Sequence, residues 1–272
     1  MNKNILITGV TGFLGRKLAN RLLKENYNIV GIAHSEKRVY ESWYKFAGFP
    51  IYCLDLAHNK NELNDIVKKH EINCVIHCAA MKHVGLCEEN PYRAIEVNVI
   101  GSKNIIDVAY DNGVDHVVGI STDKSINPLC VYGCSKMLME KMFLEKGHSI
   151  CRGVNFLFSD GSVLDIWKNQ KEAGHPINVN SSNTTRFFIT VEDFIDLILQ
   201  NLTKRGKIIN PTSCYKIRLH DLAEAFCELH DHSCVKQNYE NPDSEKLVEE
   251  IPSGISVIDT TVEDIKKILK QT

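Results

Sequence analysis

The stretch "STDKSINPLCVYGCSK", residues 121 to 136, brings a carboxyl, an amine, a phenol and a second amine together in Asp123, Lys124, Tyr132 and Lys136. Tyr132 and Lys136 have Y-x-x-x-K spacing, which on a helix puts both side chains on one face. An ammonium beside a phenol lowers the phenol pKa, so a phenolate can act as general base near neutral pH. Such a base can take a proton from an alcohol while hydride leaves the same carbon. Asp123 and Lys124 add the further acid and base that expulsion of water needs, and Asn127-Pro128 sets a turn signal between the two pairs. A solvated surface loop can share this composition, so the elements around the stretch decide.

Those elements alternate. "NILITGV", "YNIVGIAH", "PIYCLDL", "CVIHCAA" and "HVVGIST" read as five strands, separated by helical runs such as "GRKLANRLLKEN" and "LNDIVKKH". "PYRAIEVNVIGSKNIIDVAYDNG" predicts a long helix ending at Asn112-Gly113, and "SKMLMEKMFLEKG" another ending at Gly147. "ICRGVNFLF" predicts a sixth strand, "SVLDIWKNQKEAG" and "RLHDLAEAFCELH" predict helices, and "RFFITVEDFIDLILQNLTKRG" a strand leading into a helix. Apolar strands that do not alternate, separated by helices, predict a doubly wound α/β domain around a parallel sheet. We expect this domain over residues 1–157. A smaller lobe, mainly 158–272, should pack on it with some segments returning to the first domain, because no Pro/Gly/Ser linker intervenes.

"ITGVTGFLG" places Gly9, Gly12 and Gly15 between the first strand and the first helix. The spacing is one residue longer at its start than the dinucleotide fingerprint, but the physics is shared. Glycine permits tight turns and close backbone approach, and a helix N-terminus offers N–H groups to a pyrophosphate. Thr11, Phe13 and Leu14 complete the loop. At the end of the second strand, "GIAHSEKR" carries His34, Ser35, Lys37 and Arg38 where an acid would hold a free ribose 2′-hydroxyl. A hydroxyl and cations there favour a 2′-phosphate, hence NADP over NAD, although Glu36 is a competing acid. Asp55, after the third strand, stands where it can meet the adenine edge.

Composition narrows the classes. The 272 residues are 43% apolar and 24% charged, with a formal net charge of −2 and no basic block, so no nucleic-acid surface is expected. No segment has the roughly 20 apolar residues that span a bilayer. Ten cysteines without paired CxxC spacing indicate small hydrophobes rather than a metal site. We therefore expect a reduced, cytoplasmic protein with no membrane span and no bound metal.

Gly9, Gly12, Gly15, Tyr132 and Lys136 together resemble the extended short-chain dehydrogenase/reductases. "AAMKHVGLCEENPYRAIEVNVIGSKNII" and "STDKSINPLCVYGCSK" narrow the resemblance to the short, C5-inverting UDP-N-acetylglucosamine 4,6-dehydratases. The resemblance implies that Thr122 holds the sugar 4-oxygen, Tyr132 takes its proton and Lys136 supports the phenolate. It also implies that Lys124 removes the C5 proton, and that protonated Asp123 delivers a proton to the departing 6-hydroxyl. NADP would be retained and recycled within each turnover. Leu56, Ala79, Ala80 and Asn98 join the implied cofactor set. Lys82, His83, Asn155, Arg186 and Glu245 form the implied set for a UDP-sugar, and a homo-oligomer is implied as well. Lys82 and His83 also read as an ordinary surface loop, Asn98 as a helix-surface asparagine and Arg186 as a structural salt bridge.

The departures fall late in the chain. Where the family reads N-x-x-G-S-R-G-S-V, this chain has "NFLFSDGSV", with Phe158 for a glycine and Asp160 for an arginine. Glu245 and Lys246 lack their usual preceding arginine and glycine, and the chain is shorter than the resemblance leads one to expect. Two other functions remain open: a 4-keto-sugar reductase or epimerase of the same superfamily, with no use for Lys124, and a dinucleotide-binding protein without catalysis.

Overall fold

The structure is a computed structural model that describes residues 4–45, 48–180, 184–237 and 249–271. The chain opens β1 (Asn4–Thr8), α1 (Phe13–Lys24), β2 (Asn28–Ala33), α2 (Glu36–Lys45), β3 (Ile51–Cys53), α3 (Lys60–Lys69) and β4 (Cys74–His77). α4 (Val84–Glu89) and α5 (Pro91–Ile95) follow, and a π-helical turn, Glu96–Ile100, joins α5 to α6 (Gly101–Asp111). β5 (His116–Thr122) runs into a 3-10 turn, Asp123–Ser125, before α7 (Val131–Glu145) and β6 (Ser149–Gly153). Next come β7 (Asn155–Phe156), α8 (Val163–Glu172), β8 (Ile177–Asn180), β9 (Thr185–Ile189), α9 (Val191–Gln200) and β10 (Ile208–Ile209). β11 (Ser213–Arg218), α10 (Leu219–His230), β12 (Cys234–Gln237), β13 (Ser256–Asp259) and α11 (Val262–Gln271) complete the order.

Two compact units result, Met1–Arg152 with Ile195–Ile209, and Gly153–Phe194 with Asn210–Thr272. The division falls after Arg152 rather than after the expected Leu157. The first unit is the doubly wound α/β fold that the alternating pattern predicts. Its seven strands run β10-β6-β5-β4-β1-β2-β3, with parallel pairing along the sheet. Leu6, Ile32, Val75, Val117 and Ile150 from the strands pack with Leu63, Ile105 and Phe143 from the helices. Strand order reverses between β1 and β4, and in such sheets the crevice for a ligand opens at the carboxyl ends of those strands. Thr8-Gly9 and His77-Cys78 therefore mark the place where the fold offers a site.

The second unit has a four-stranded sheet, β13-β11-β9-β7, and a two-stranded one, β12-β8. Its pairing is mixed: β9 and β11 are antiparallel, while β7 and β9 are parallel. Trp167, Phe188, Ile217, Phe226 and Ile265 centre its core.

Two expectations change here. "ICRGVNFLF" is not one strand but two, β6 in the first unit's sheet and β7 in the second's. A continuous apolar run fits one strand by length, and its pattern carries no trace of a change of sheet. Cys227 is disulfide-bonded, against the expectation of a wholly reduced chain, whereas among the described residues eight other cysteines form no disulfide. Among the described residues no helix is long and apolar enough to cross a membrane, and no cluster of His, Cys, Asp or Glu could hold a metal ion.

Candidate active site

β5 ends at Thr122, and the chain turns at once through Asp123, Lys124 and Ser125 before α7. The turn is tied down locally. Thr122 Oγ1 donates to Asp123 Oδ1 at 2.8 Å, and the Lys124 backbone N–H donates to the same oxygen at 2.9 Å. Lys124 Nζ lies 3.5 Å from Asp123 Oδ1, with the Asp123 side chain only 2% exposed and that of Lys124 25% exposed. Neither side chain is turned out to bulk solvent.

Tyr132, in the first turn of α7, meets this turn. Burial pushes its phenol up to about 12, while the Lys124 ammonium and a hydrogen bond with the Thr122 side chain draw it back down. Asp123 and Cys87 act in the upward direction. Thr122, Asp123, Lys124 and Tyr132 are thus one electrostatic cluster. Lys136 has a different place from the one expected. It is 2% exposed, and its ammonium donates to Met139 Sδ at 3.1 Å. Burial lowers its pKa to about 8, with Glu140 and Cys78 acting against the fall. The cation that draws the phenol down is Lys124, a neighbour through the turn that no helical spacing displays.

Gly133 explains how the two elements come so close. A Cβ at Gly133 would overlap the Lys124 carbonyl oxygen, so only glycine lets the first turn of α7 lie on the Asp123–Lys124 turn. The helix start is held from a second side by Glu88 of α4, whose Oε1 accepts from the Val131 N–H at 2.6 Å. Sequence reading misses both residues, since each acts through a contact remote in sequence.

Asn98 lies in the π-helical turn, 1% exposed. Its Oδ1 accepts from the Met81 N–H at 2.8 Å, and its Nδ2 donates to Met81 O at 3.0 Å and to Ser135 Oγ at 2.9 Å. Ser135 Oγ in turn donates to Tyr132 O at 2.7 Å. A π turn inside a helix commonly marks a functional position, and here it presents one amide to the loop at Met81 and to Ser135 of α7 at once. Behind it, His77 is fully buried. Thr8 Oγ1 lies 2.8 Å from its Nδ1, and Ser102 Oγ lies 2.9 Å from its Nε2.

The glycine loop fits a dinucleotide. Gly9 has φ +67°, and a Cβ there would come within 2.8 Å of Ala79 N, so the loop packs directly on the backbone leaving β4. A Cβ at Gly15 would overlap Gly9 O. α1 begins at Phe13 with Gly12 at its N-cap, without a side-chain cap and without an acid in its first turn, the arrangement that suits an anion. Thr11, Leu14 and Gly15 are buried beside it, and Ala80 is half-buried.

Other expected cofactor residues take structural partners. Asp55 Oδ2 accepts from Arg93 Nη2 at 2.8 Å and its Oδ1 from the Ala57 N–H at 2.9 Å. Leu56 is buried. His34 is exposed after β2, the Ser35 hydroxyl accepts from the Arg38 N–H at 3.4 Å, and Lys37 lies 3.9 Å from Glu41. Lys37 and Arg38 thus sit in the first turn of α2, a helix that the sequence reading does not predict.

Of the expected sugar-nucleotide set, Lys82 and His83 are exposed on the segment entering α4. Asn155 and Arg186 belong to the second unit, and both reach Glu249. Asn155 Nδ2 donates to Glu249 Oε2 at 2.8 Å, and Arg186 Nε lies 3.5 Å from Glu249 Oε1. Glu245 and Lys246 lie outside the described residues.

Known proteins share this architecture. A protein of Methanocaldococcus jannaschii named as an uncharacterized membrane protein is 34% identical over 84% of this chain and 71% of its own length. The inverting UDP-N-acetylglucosamine 4,6-dehydratase of Campylobacter jejuni serotype O:2 is 32% identical, over 86% of this chain and 73% of its own. Among solved structures, the UDP-glucose 4-epimerase of Thermus thermophilus in complex with NAD superposes with a TM-score of 0.83 at 18% identity, covering 97% of this chain and 96% of that one. Residues 5–268 match the family described as polysaccharide biosynthesis proteins, and this chain belongs to that family.

Proposed function

We propose that the protein is a nucleotide-sugar 4,6-dehydratase with 5-epimerase activity, acting on UDP-N-acetylglucosamine. One observation carries the reading: the buried Asp123 and the half-buried Lys124 share a turn with Thr122 and face the Tyr132 phenol. A protein that only bound a dinucleotide would need none of these four groups assembled, and a reductase would need no amine at the position of Lys124. The name of the Campylobacter relative supports the choice of substrate.

Bound at the glycine loop, the dinucleotide would accept hydride from C4 of the sugar and return it to C6. Tyr132 takes the proton of the 4-hydroxyl, with Thr122 beside the oxygen. The 4-ketone so formed acidifies C5, and Lys124, as the free amine, removes that proton. Asp123, in its acid form, protonates the 6-hydroxyl as it leaves as water. A proton returned to C5 on the opposite face gives the inverted 4-keto-6-deoxy sugar. His34, Ser35, Lys37 and Arg38, at the end of β2 and the start of α2, support NADP through its 2′-phosphate. Exposed Leu86, Tyr92, Ile95 and Leu138 on the helices of the first unit support a homo-oligomer.

The test uses purified protein and UDP-N-acetylglucosamine in deuterium oxide with no added cofactor. The expected product is lighter by one water and carries deuterium at C5. Lys124→Ala should slow deuterium entry about a thousandfold. No product from UDP-N-acetylglucosamine, with NADPH-dependent reduction of a 4-keto sugar that survives Lys124→Ala, points to a reductase. Mass analysis of nucleotide released on denaturation separates NADP from NAD.

A further inference from the structure

The Asp123–Lys124 turn has a second anchor, at Ser125. Ser125 closes the turn, and its Oγ lies 2.6 Å from Thr122 O and 2.7 Å from Glu140 Oε1, so its one proton is shared between two acceptors. Glu140 belongs to α7 and is 3% exposed. Arg152 of β6 clamps it, with Nε donating to Oε1 at 3.0 Å and Nη2 to Oε2 at 2.6 Å. A two-point guanidinium contact of this kind fixes the carboxylate in orientation. Glu140 also stands four residues after Lys136, on the same helical face.

We propose that Glu140 is a positioning residue of the active site, holding the Asp123–Lys124 turn through Ser125 and keeping a negative charge one helical turn from Lys136. It touches neither sugar nor cofactor in this role. Arg152 secures it from β6, so the acid–base turn, the Tyr132 helix and the neighbouring strand are locked by one carboxylate. A buried charge costs solvation unless it is paired and hydrogen-bonded, and Glu140 meets both conditions through groups that converge on the site. The charged and titratable groups facing Lys136 are Glu140 on its own helix, His77 at the end of β4 and Cys78 just after it. Burial disfavours the ammonium, Glu140 and Cys78 favour it, and Glu140 is the carboxylate among them.

This inference rests on the dehydratase reading for its kinetics but not for its second readout. Ser125→Ala removes the tether and leaves the ion pair intact. It should slow deuterium entry at C5 about tenfold or more, while the first hydride step, read as cofactor absorbance in a single turnover, changes by less than about threefold. Glu140→Gln keeps an acceptor for Ser125 and removes the charge. Competitive acylation of Lys136 across pH should then show its titration moved down by roughly one unit. Wild-type exchange in Ser125→Ala, or an unmoved Lys136 titration in folded Glu140→Gln, overturns the proposal. If Glu140→Gln fails to fold because Arg152 is left unpaired, Ser125→Ala decides the matter. If the wild type itself gives no exchange, the dehydratase reading falls, while the Lys136 titration still judges Glu140.

Discussion

In the first unit the buried polar groups form a chain, whereas in the second they converge on a point. From β1, the Thr8 hydroxyl meets His77, whose ring reaches Ser102, which donates to Asn98 O at 2.6 Å. The Asn98 side chain then passes contact through Ser135 to the backbone of Tyr132. Each member touches the next element, so glycine loop, π turn and the helix that carries Tyr132 share one network. In the second unit, Asn155, Arg186 and the Phe187 N–H all meet Glu249. A chain transmits position between loops, whereas a single hub holds one place together. Residues that must act in sequence on one substrate need the former, and the comparison teaches where substitution should damage chemistry rather than stability.

Among changes that leave the acid–base groups themselves in place, the largest effect should come from Gly133→Ala. The added methyl must push α7 off the Lys124 carbonyl, and a shift of the order of 1 Å between acid–base groups costs about a hundredfold in rate. Deuterium entry at C5 should fall by that factor, with thermal unfolding showing a destabilisation of about 1–3 kcal/mol. A variant with wild-type exchange would break the claim that close packing of turn on helix sets the geometry.

His77→Phe should show what the chain is worth. The ring keeps its place against Phe143, with centroids 6.0 Å apart, but offers nothing to Thr8 or Ser102. Each buried hydroxyl loses its contact with the ring and keeps one other partner, Ala79 N–H for Thr8 and Asn98 O for Ser102, so the change should cost about 1–3 kcal/mol by urea unfolding at neutral pH. The polarity of the chain can be assigned. Ser102 donates to Asn98 O, so it accepts from His77 Nε2–H, and Nδ1 then accepts from Thr8. Only the neutral imidazole satisfies this, in keeping with burial lowering its pKa from 6.5 to about 3. The unfolded chain therefore binds a proton that the folded one refuses in that window. Stability is complete above pH 6.5 and falls as pH drops toward 3, by roughly 4 kcal/mol from this group. His77→Phe should flatten that part of the acid limb.

How much of this is legible in sequence follows from the range of each contact. The Gly9–Gly15 loop and the Tyr132–Lys136 pair are written as short spacings, and the alternating runs specify the parallel sheet. Gly133, Glu88 and Ser125 act across gaps that no periodicity records, because they depend on which turn lies on which helix. Lys136 shows the limit of spacing: four residues put it on the face of Tyr132, but burial beside Met139 determines what its ammonium touches. The two halves of "ICRGVNFLF" read alike as apolar runs, and only pairing partners separate them. The resemblance points Arg186 and Asn155 toward a diphosphate, and their contact with Glu249 is one that spacing does not show.

Glu249→Ala tests the hub. Arg186, with a side chain 10% exposed, would lose the carboxylate it faces. Removing one partner of a buried pair costs about 3 kcal/mol, measured by chemical unfolding. If the comparison between units holds, the same variant leaves deuterium entry at saturating substrate within about threefold of wild type. A loss confined to kcat instead would mean that the hub, too, takes part in positioning the chemistry.

Phe158 gives the smallest effect and the sharpest reading of how the second unit tolerates change. It stands where the family reads glycine, and its backbone keeps the glycine conformation, with φ +55°. For a bulky residue that region costs about 1–2 kcal/mol. Its half-buried ring packs against the core that contains Trp167 and Phe226, a contact that glycine cannot make. Partial burial of an aromatic ring is worth a similar amount, about 1–2 kcal/mol. The two terms oppose each other, so Phe158→Gly should shift unfolding by less than about 1 kcal/mol in either direction. Phe158→Ala separates them, because it keeps most of the backbone strain and loses the ring. It should be less stable than Phe158→Gly by about 1 kcal/mol, and the reverse order would show that the left-handed turn is not under strain.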